Sequence, residues 1–115
     1  MSAMTLYGLK NCDTCKKALN ALATAGREVT FVDIRGEADL AAKLPQWLAA
    51  VGAEALVNKR STTWRGLDDA TRADAEGDAA AALLAAHPTL IKRPVIEAEN
   101  AVYVGWTAAV SAALT

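Results

Sequence analysis

The spacing of hydrophobic and polar positions changes several times along the chain. Met4-Thr-Leu-Tyr-Gly8 is short, mostly apolar and closed by glycine, which predicts a strand. Over 14–25 the spacing becomes helical. Cys15, Ala18, Leu19 and Leu22 fall at i, i+3, i+4 and i+7, while Lys16, Lys17 and Asn20 face outward. Gly26 is placed to stop that helix. Val29-Thr-Phe-Val-Asp-Ile34 is rich in β-branched residues and predicts a second strand. Strand, helix and strand in this order make a parallel βαβ unit with a right-handed crossover.

The middle of the chain reads differently. A helix is predicted over 39–51, with a break or restart at Pro45, because proline removes a helical N–H. The stretch 56–67 is polar and irregular. Two short helices are predicted over 68–75 and 78–87, the second capped by Asp78. Residues 90–96 lead into a strand, and 102–104 form another after a turn near Glu99 and Asn100. A last amphipathic helix spans 107–114, capped by Thr107. The order is βαβ, a helical insert over about 37–88, then ββα. No internal repeat or low-complexity linker interrupts it, so the expectation is one α/β domain over 1–115.

Composition narrows the function classes. A chain of 115 residues suits a single hydrophobic core. Apolar residues make up 53%, but much of that is alanine, so Leu, Val, Ile and Trp must fill the core. With 22% charged residues and a net charge of −1, no positive field favours direct nucleic-acid binding. No apolar run approaches the roughly 20 residues needed to span a bilayer. The first residues lack the charged and apolar regions of a signal peptide. These features predict a cytoplasmic protein without a membrane partner. Thiols stay reduced there, so a cysteine pair suggests catalysis or metal binding before a structural crosslink.

Cys12 and Cys15 form such a pair, as C-x-x-C between a strand and the start of a helix. In a βαβ context this reads as a thioredoxin-like redox motif. A helix N-terminus carries unpaired N–H groups and about half a positive charge, and both stabilise a thiolate. Lys16 and Lys17 add positive charge, whereas Asp13 opposes it. Cys12 precedes the helix and should be the accessible thiol. Cys15 lies on the apolar stripe and is suited to resolving a mixed disulfide on Cys12. Two other readings compete. A four-ligand zinc site lacks partners, since His87 is the one histidine and no further cysteine exists, so no metal is expected. Alternatively the pair is inert and Cys15 is a small core residue.

A second group is cationic: Lys59, Arg60 and Arg65 in the middle stretch, and Lys92 and Arg93 before Pro94. Arginine suits bidentate recognition of oxyanions and carboxylates. If the Arg93 segment lies beside the Cys12 loop, these cations can bind an anionic substrate or the carboxylates of glutathione. The competing reading is a solvated or salt-bridged surface. In thioredoxin-like folds a cis-proline faces the active thiol, and Pro94 stands at the corresponding point. Trp64 and Trp106 read as packing residues. His87, before Pro88 at a helix end, is assigned no catalytic role.

Three segments together resemble the arsenate reductase (ArsC) family, and within it the YffB/Spx-like branch. They are Leu6-Tyr-Gly-Leu-Lys-Asn-Cys-Asp-Thr-Cys-Lys-Lys-Ala18, Leu56-Val-Asn-Lys-Arg-Ser-Thr-Thr-Trp-Arg-Gly-Leu67 and Ile91-Lys-Arg-Pro-Val-Ile96, in family order. The resemblance implies a thioredoxin-like fold with a helical insert, Cys12 as nucleophile, Arg93 as an anion-binding residue and Pro94 as the cis-proline. It also shows departures. Glutaredoxin-linked arsenate reductases carry a histidine at the position of Gly8 and an arginine at that of Lys16. Of their three anion-binding arginines only Arg93 matches. Asn58 stands at the first position, with Arg60 close by, and Trp106 or Thr107 at the third. Losing two charge-assisted clamps weakens arsenate binding by several kcal/mol, which speaks against arsenate as the substrate.

The leading expectation is therefore a thiol-dependent oxidoreductase acting on a small thiol or oxyanion. It has no bound cofactor, glutathione as reducing co-substrate, and glutaredoxin as a candidate partner. Arg93, Arg60, Arg65 and Lys16 are its candidate anion-binding residues. The alternative is an Spx-like regulator that binds RNA polymerase and switches through a Cys12–Cys15 disulfide. The cysteine pair resembles Spx proteins, while Thr62-Thr-Trp-Arg65 looks more like YffB. A third reading is a binding module without turnover.

Overall fold

The computed structural model describes residues 4–36, 38–76, 79–98 and 101–115. Its elements run β1 (Met4–Gly8), α1 (Asp13–Thr24), β2 (Val29–Asp33), α2 (Leu40–Val51), α3 (Ala53–Leu56), α4 (Thr62–Arg65), α5 (Asp69–Ala73), α6 (Ala80–Ala86), a 3-10 turn (Pro88–Leu90), β3 (Val95–Ala98), β4 (Ala101–Val104) and α7 (Ala108–Leu114). The chain divides into two compact units: Met1–Ala38 with Arg93–Thr115, and Asp39–Lys92.

The first unit is a four-stranded mixed sheet in the order β2-β1-β3-β4. β1 and β2 are parallel, and β3 is antiparallel to both β1 and β4. With α1 as the crossover this is a thioredoxin-like α/β arrangement. Leu6 pairs with Phe31 on one side and Ile96 on the other. Met4, Leu6, Ile96 and Ala98 present one sheet face, which buries Ala18 and Leu22 of α1 and Leu114 of α7. Alternation along each strand puts these residues on a common side. A leucine buried as fully as Leu22 contributes about 2 kcal/mol. From the strand positions of opposite parity, Tyr7 donates from its hydroxyl to Glu97 Oε1 at 3.0 Å.

The ends of α1 are well defined. It starts at Asp13, one residue before the spacing predicts, with Cys12 in extended backbone as its N-cap. At the other end Gly26 N–H donates to Ala23 O and Arg27 N–H to Leu22 O, both at 3.0 Å. This double closure requires a left-handed residue, and Gly26 has φ +80°. α7 is capped as expected, Thr107 Oγ1 accepting from Val110 N–H at 3.2 Å. Arg27 Nε donates to Leu114 O at 3.0 Å, satisfying a terminal carbonyl of α7.

In the second unit, α2 packs against α6. Leu44 and Trp47 are buried from α2, and Ala80, Leu83 and Leu84 from α6. The expected break at Pro45 does not occur, for α2 runs through it. Pro45 and Ala41 are both exposed, so the Ala41 carbonyl that proline leaves without a helical donor faces water. Burial of Leu44 and Trp47 on the other side holds the helix together. The stretch 56–67 is also more ordered than its polarity suggests. Val57 bridges Ile91, Asn58 N–H donates to Leu90 O and Lys92 N–H to Leu56 O, each at 2.7 Å. Ser61 then caps the single turn of α4, accepting from Trp64 N–H at 3.1 Å. α5 is capped by Asp68, as α2 is by Asp39. The predicted Asp78 cap, the start of the insert at 37 and the turn at Glu99 and Asn100 fall outside the described residues. The 3-10 turn at Pro88–Leu90 comes first, and the segment 90–96 then leads into β3 at Val95 as its pattern predicts.

Candidate active site

β1 ends at Gly8, and its C-terminal end is tied to β2 by Ile34 N–H donating to Gly8 O at 2.9 Å. The chain then turns, with Cys12 N–H donating to Leu9 O at 3.2 Å, and enters α1 as Lys16 N–H donates to Cys12 O at 3.0 Å. This puts Cys12 at the helix mouth, half-buried, and Cys15 one turn on, fully buried. Both thiols are free.

The two thiols are tuned in opposite directions. Burial by itself would raise the Cys12 thiol. Against it act the Cys15 N–H, the Cys15 thiol, and the hydrogen bond and charge of Arg93, and the balance falls below the ordinary value of 9.0. As a neutral thiol Cys12 makes no capping hydrogen bond. The favourable groups act on the ionised sulfur. Cys15 is pushed up to about 11, first by burial and then by the neighbouring Cys12, while the Leu9 N–H and the Arg93 charge oppose the rise. Of the two thiols, Cys12 is therefore the one that ionises first.

Arg93 reaches this point through the sheet. Tyr7 pairs with Val95, so the residues preceding β3 lie level with the loop that follows β1. The Arg93–Pro94 peptide bond is cis, as the resemblance implies. Pro94 is fully buried, and its carbonyl accepts from Gly105 N–H at 2.8 Å. Arg93 Nε is buried as well.

Gly8 is a residue whose role the sequence pattern did not disclose. A Cβ built there would lie 2.5 Å from Cys15 Sγ and 3.3 Å from Cys15 Cβ. Its backbone is ordinary, so the need for glycine is one of space. The signal was present as a glycine closing β1 directly before the cysteine loop, but sequence spacing cannot reveal that its missing side chain makes room for a sulfur.

The other candidates separate. Lys16 and Lys17 are exposed on α1. The cation that acts on Cys12 is Arg93. Arg60 and Arg65 belong to the second unit and are exposed there. Arg60 lines a groove of about 550 Å³ with Glu54, Val57, Asn58, Lys59 and Lys92. Trp64 is flanked by Lys59 Nζ and Arg72 Cζ, each 5.7 Å from its ring centroid. Trp106 packs against the core of the first unit. His87 ends α6. Among the described residues no three His, Cys, Asp or Glu side chains converge where a metal ion could sit. Nor is any described helix long and apolar enough to cross a membrane.

The ArsC family pattern matches residues 7–113. The chain belongs to the ArsC family. An uncharacterized protein of Haemophilus influenzae is 43% identical over 103 residues, 90% of each chain. Among solved structures, the YFFB (PA3664) protein superposes with a TM-score of 0.87 at 36% identity, covering 97% of this chain and 98% of its own. An arsenate reductase (ArsC) related protein of Brucella melitensis gives 0.77 at 38% identity, covering 96% and 92%. The likeness within the ArsC family is thus to YffB-type proteins. The positions that depart from its arsenate reductases have structural work here. Gly8 makes room for Cys15. Asn58 accepts at Oδ1 from Arg60 N–H at 3.1 Å and at its carbonyl from the Ser61 hydroxyl at 2.8 Å, shaping the turn into α4. Thr107 caps α7.

Proposed function

We propose that the protein is a thiol oxidoreductase whose nucleophile is Cys12. The observation that carries this reading is the split between a lowered Cys12 and a raised Cys15 beside one half-buried arginine, Arg93. The Cys12 thiolate attacks a substrate disulfide sulfur, forming a Cys12 mixed disulfide and expelling the other sulfur as a thiolate. A glutathione thiolate then attacks the mixed disulfide, restoring Cys12 and leaving with the substrate sulfur as a new disulfide. Cys15 offers an internal route. Once Cys12 is covalently capped its negative charge is gone, so the repulsion that raises Cys15 is relieved. The Cys15 thiolate can then displace the bound sulfur and close a Cys12–Cys15 disulfide. Arg93 holds the charge on Cys12 and supplies a cation for an anionic group at the reacting sulfur. Glutaredoxin is a candidate partner for returning the disulfide to dithiol. Arsenate is disfavoured as substrate, since Arg93 is the single match among the three family arginines.

Alkylation by iodoacetamide across pH, resolved by mass spectrometry, tests the reading. Cys12 is expected to react with a midpoint below 9.0, and Cys15 to resist. Glutathione disulfide is expected to leave a glutathionyl group on Cys12. An unperturbed Cys12, with disulfide reduction surviving Cys12→Ser, would overturn it. Two thiols one helical turn apart also favour a second reading, an Spx-like redox switch that binds RNA polymerase. Pull-down of RNA polymerase by reduced and by oxidised protein separates the two, because a pure enzyme binds in neither state.

A further inference from the structure

Beside the Cys12 loop lies a groove of about 440 Å³, lined by Leu9, Lys10, Asn11, Asp33, Arg35 and Gly36. It opens at the C-terminal ends of the parallel pair β1 and β2, where open α/β sheets commonly receive ligands. Three of its lining residues directly precede Cys12, and Asn11 is one peptide unit from the nucleophile. Asp33 is turned into its own loop, with Oδ1 accepting from Arg35 N–H at 2.8 Å and Gly36 N–H at 3.2 Å. Lys10 and Arg35 are exposed, and among the described residues that line it the groove carries two cations and one carboxylate. Asn11 adds an exposed amide with donors of its own.

We infer that this groove selects the substrate of Cys12, with Lys10 and Arg35 receiving a carboxylate carried next to the reacting sulfur. The inference rests on Cys12 being the attacking thiol. The preferred partner is an anionic disulfide, peptide-like or small, whose sulfur reaches Cys12 while its carboxylate lies across the groove. The Cys12 thiolate forms one S–S bond as the substrate S–S bond breaks, and the expelled thiolate carries the electron pair away. Arg93 attends the sulfur, and the groove attends the group beside it. Specificity is thus separated from activation.

The test compares single-turnover attack of Cys12 on two probe disulfides, anionic dithiobis(nitrobenzoate) and neutral dithiodipyridine, at low salt. Lys10→Gln and Arg35→Gln are each expected to lower the anionic-to-neutral rate ratio about threefold, and the double variant about tenfold. Lys10→Glu should lower it further, and Arg35→Lys should restore most of it. Lys17→Gln, exposed on α1, controls for net charge and should move the ratio least. A ratio unchanged in the double variant, or lowered equally by Lys17→Gln, overturns the inference and leaves the nucleophile intact. If neither probe modifies Cys12, the proposed function itself fails.

Discussion

The sheet unit and the helical unit use arginine in different ways. In the first, Arg93 is placed by a buried cis-proline and a strand register, and it acts on a sulfur. In the second, Arg72 Nε donates to Trp64 O at 3.2 Å, its Nη2 donates to Arg65 O at 3.1 Å, and its guanidinium flanks the Trp64 ring. One cation tunes a reactive group, and the other closes the end of a one-turn helix. Residue type does not separate these uses. What separates them is whether the guanidinium acts on a thiolate or on peptide carbonyls.

The contrast can be broken most severely at the nucleophile. Cys12→Ser should lower single-turnover disulfide attack on the order of 10³-fold, since a hydroxyl there has no stabilised anion to offer. Stopped-flow absorbance measures it, and Cys15→Ser should lose far less in the first step. The next largest effect concerns space. Gly8→Ala should destabilise the fold by about 1–3 kcal/mol, because its Cβ would meet Cys15 Sγ at 2.5 Å. Cys15→Ala removes that sulfur, so the double variant should be less destabilised than the sum of the singles. Urea denaturation of the four proteins of this cycle measures the coupling, and additive losses would show that the clash is not the cause.

Much of this was legible beforehand. The βαβ start, the helix over 14–25 and the cap at Thr107 all follow from period and capping chemistry, which are local. At Pro45 proline's local penalty argues for a break, and the burial of Leu44 and Trp47 opposite it overrides that penalty. The order within the polar stretch 56–67 comes from pairing with 90–92, a contact distant in sequence. At the site, Cys12 and Cys15 were readable from spacing. The effects of Gly8 and Arg93 were not readable from spacing, since each arises where two elements meet in space. The resemblance supplied Arg93, and the strand register explains it.

Electrostatics gives the next effect. Arg93→Gln removes a hydrogen bond and a charge that favour the Cys12 thiolate, so the midpoint should rise. The sign is fixed: a thiol whose value rises holds less thiolate at every pH below it. A rise of about one unit corresponds to about 1.4 kcal/mol and a roughly tenfold slower alkylation at neutral pH. Thiolate absorbance during a pH titration reads the midpoint directly. A midpoint that stays put would assign the lowering to the Cys15 groups alone.

The smallest effect tests the helical side of the comparison. Arg72 lies 3.7 Å from Asp69, whose side chain is fully exposed. If that ion pair mattered, Asp69→Asn would cost more than Arg72→Lys, which leaves both charges in place. An exposed i,i+3 pair in water contributes almost nothing, so Asp69→Asn should leave the melting temperature unchanged. Arg72→Lys keeps the charge but loses the planar fork that serves two carbonyls at once, and it should cost about 1 kcal/mol. Thermal melts of the two variants decide it. A larger loss in Asp69→Asn than in Arg72→Lys would mean that Arg72 acts through its charge, as Arg93 does at Cys12, and would erase the distinction between the two units.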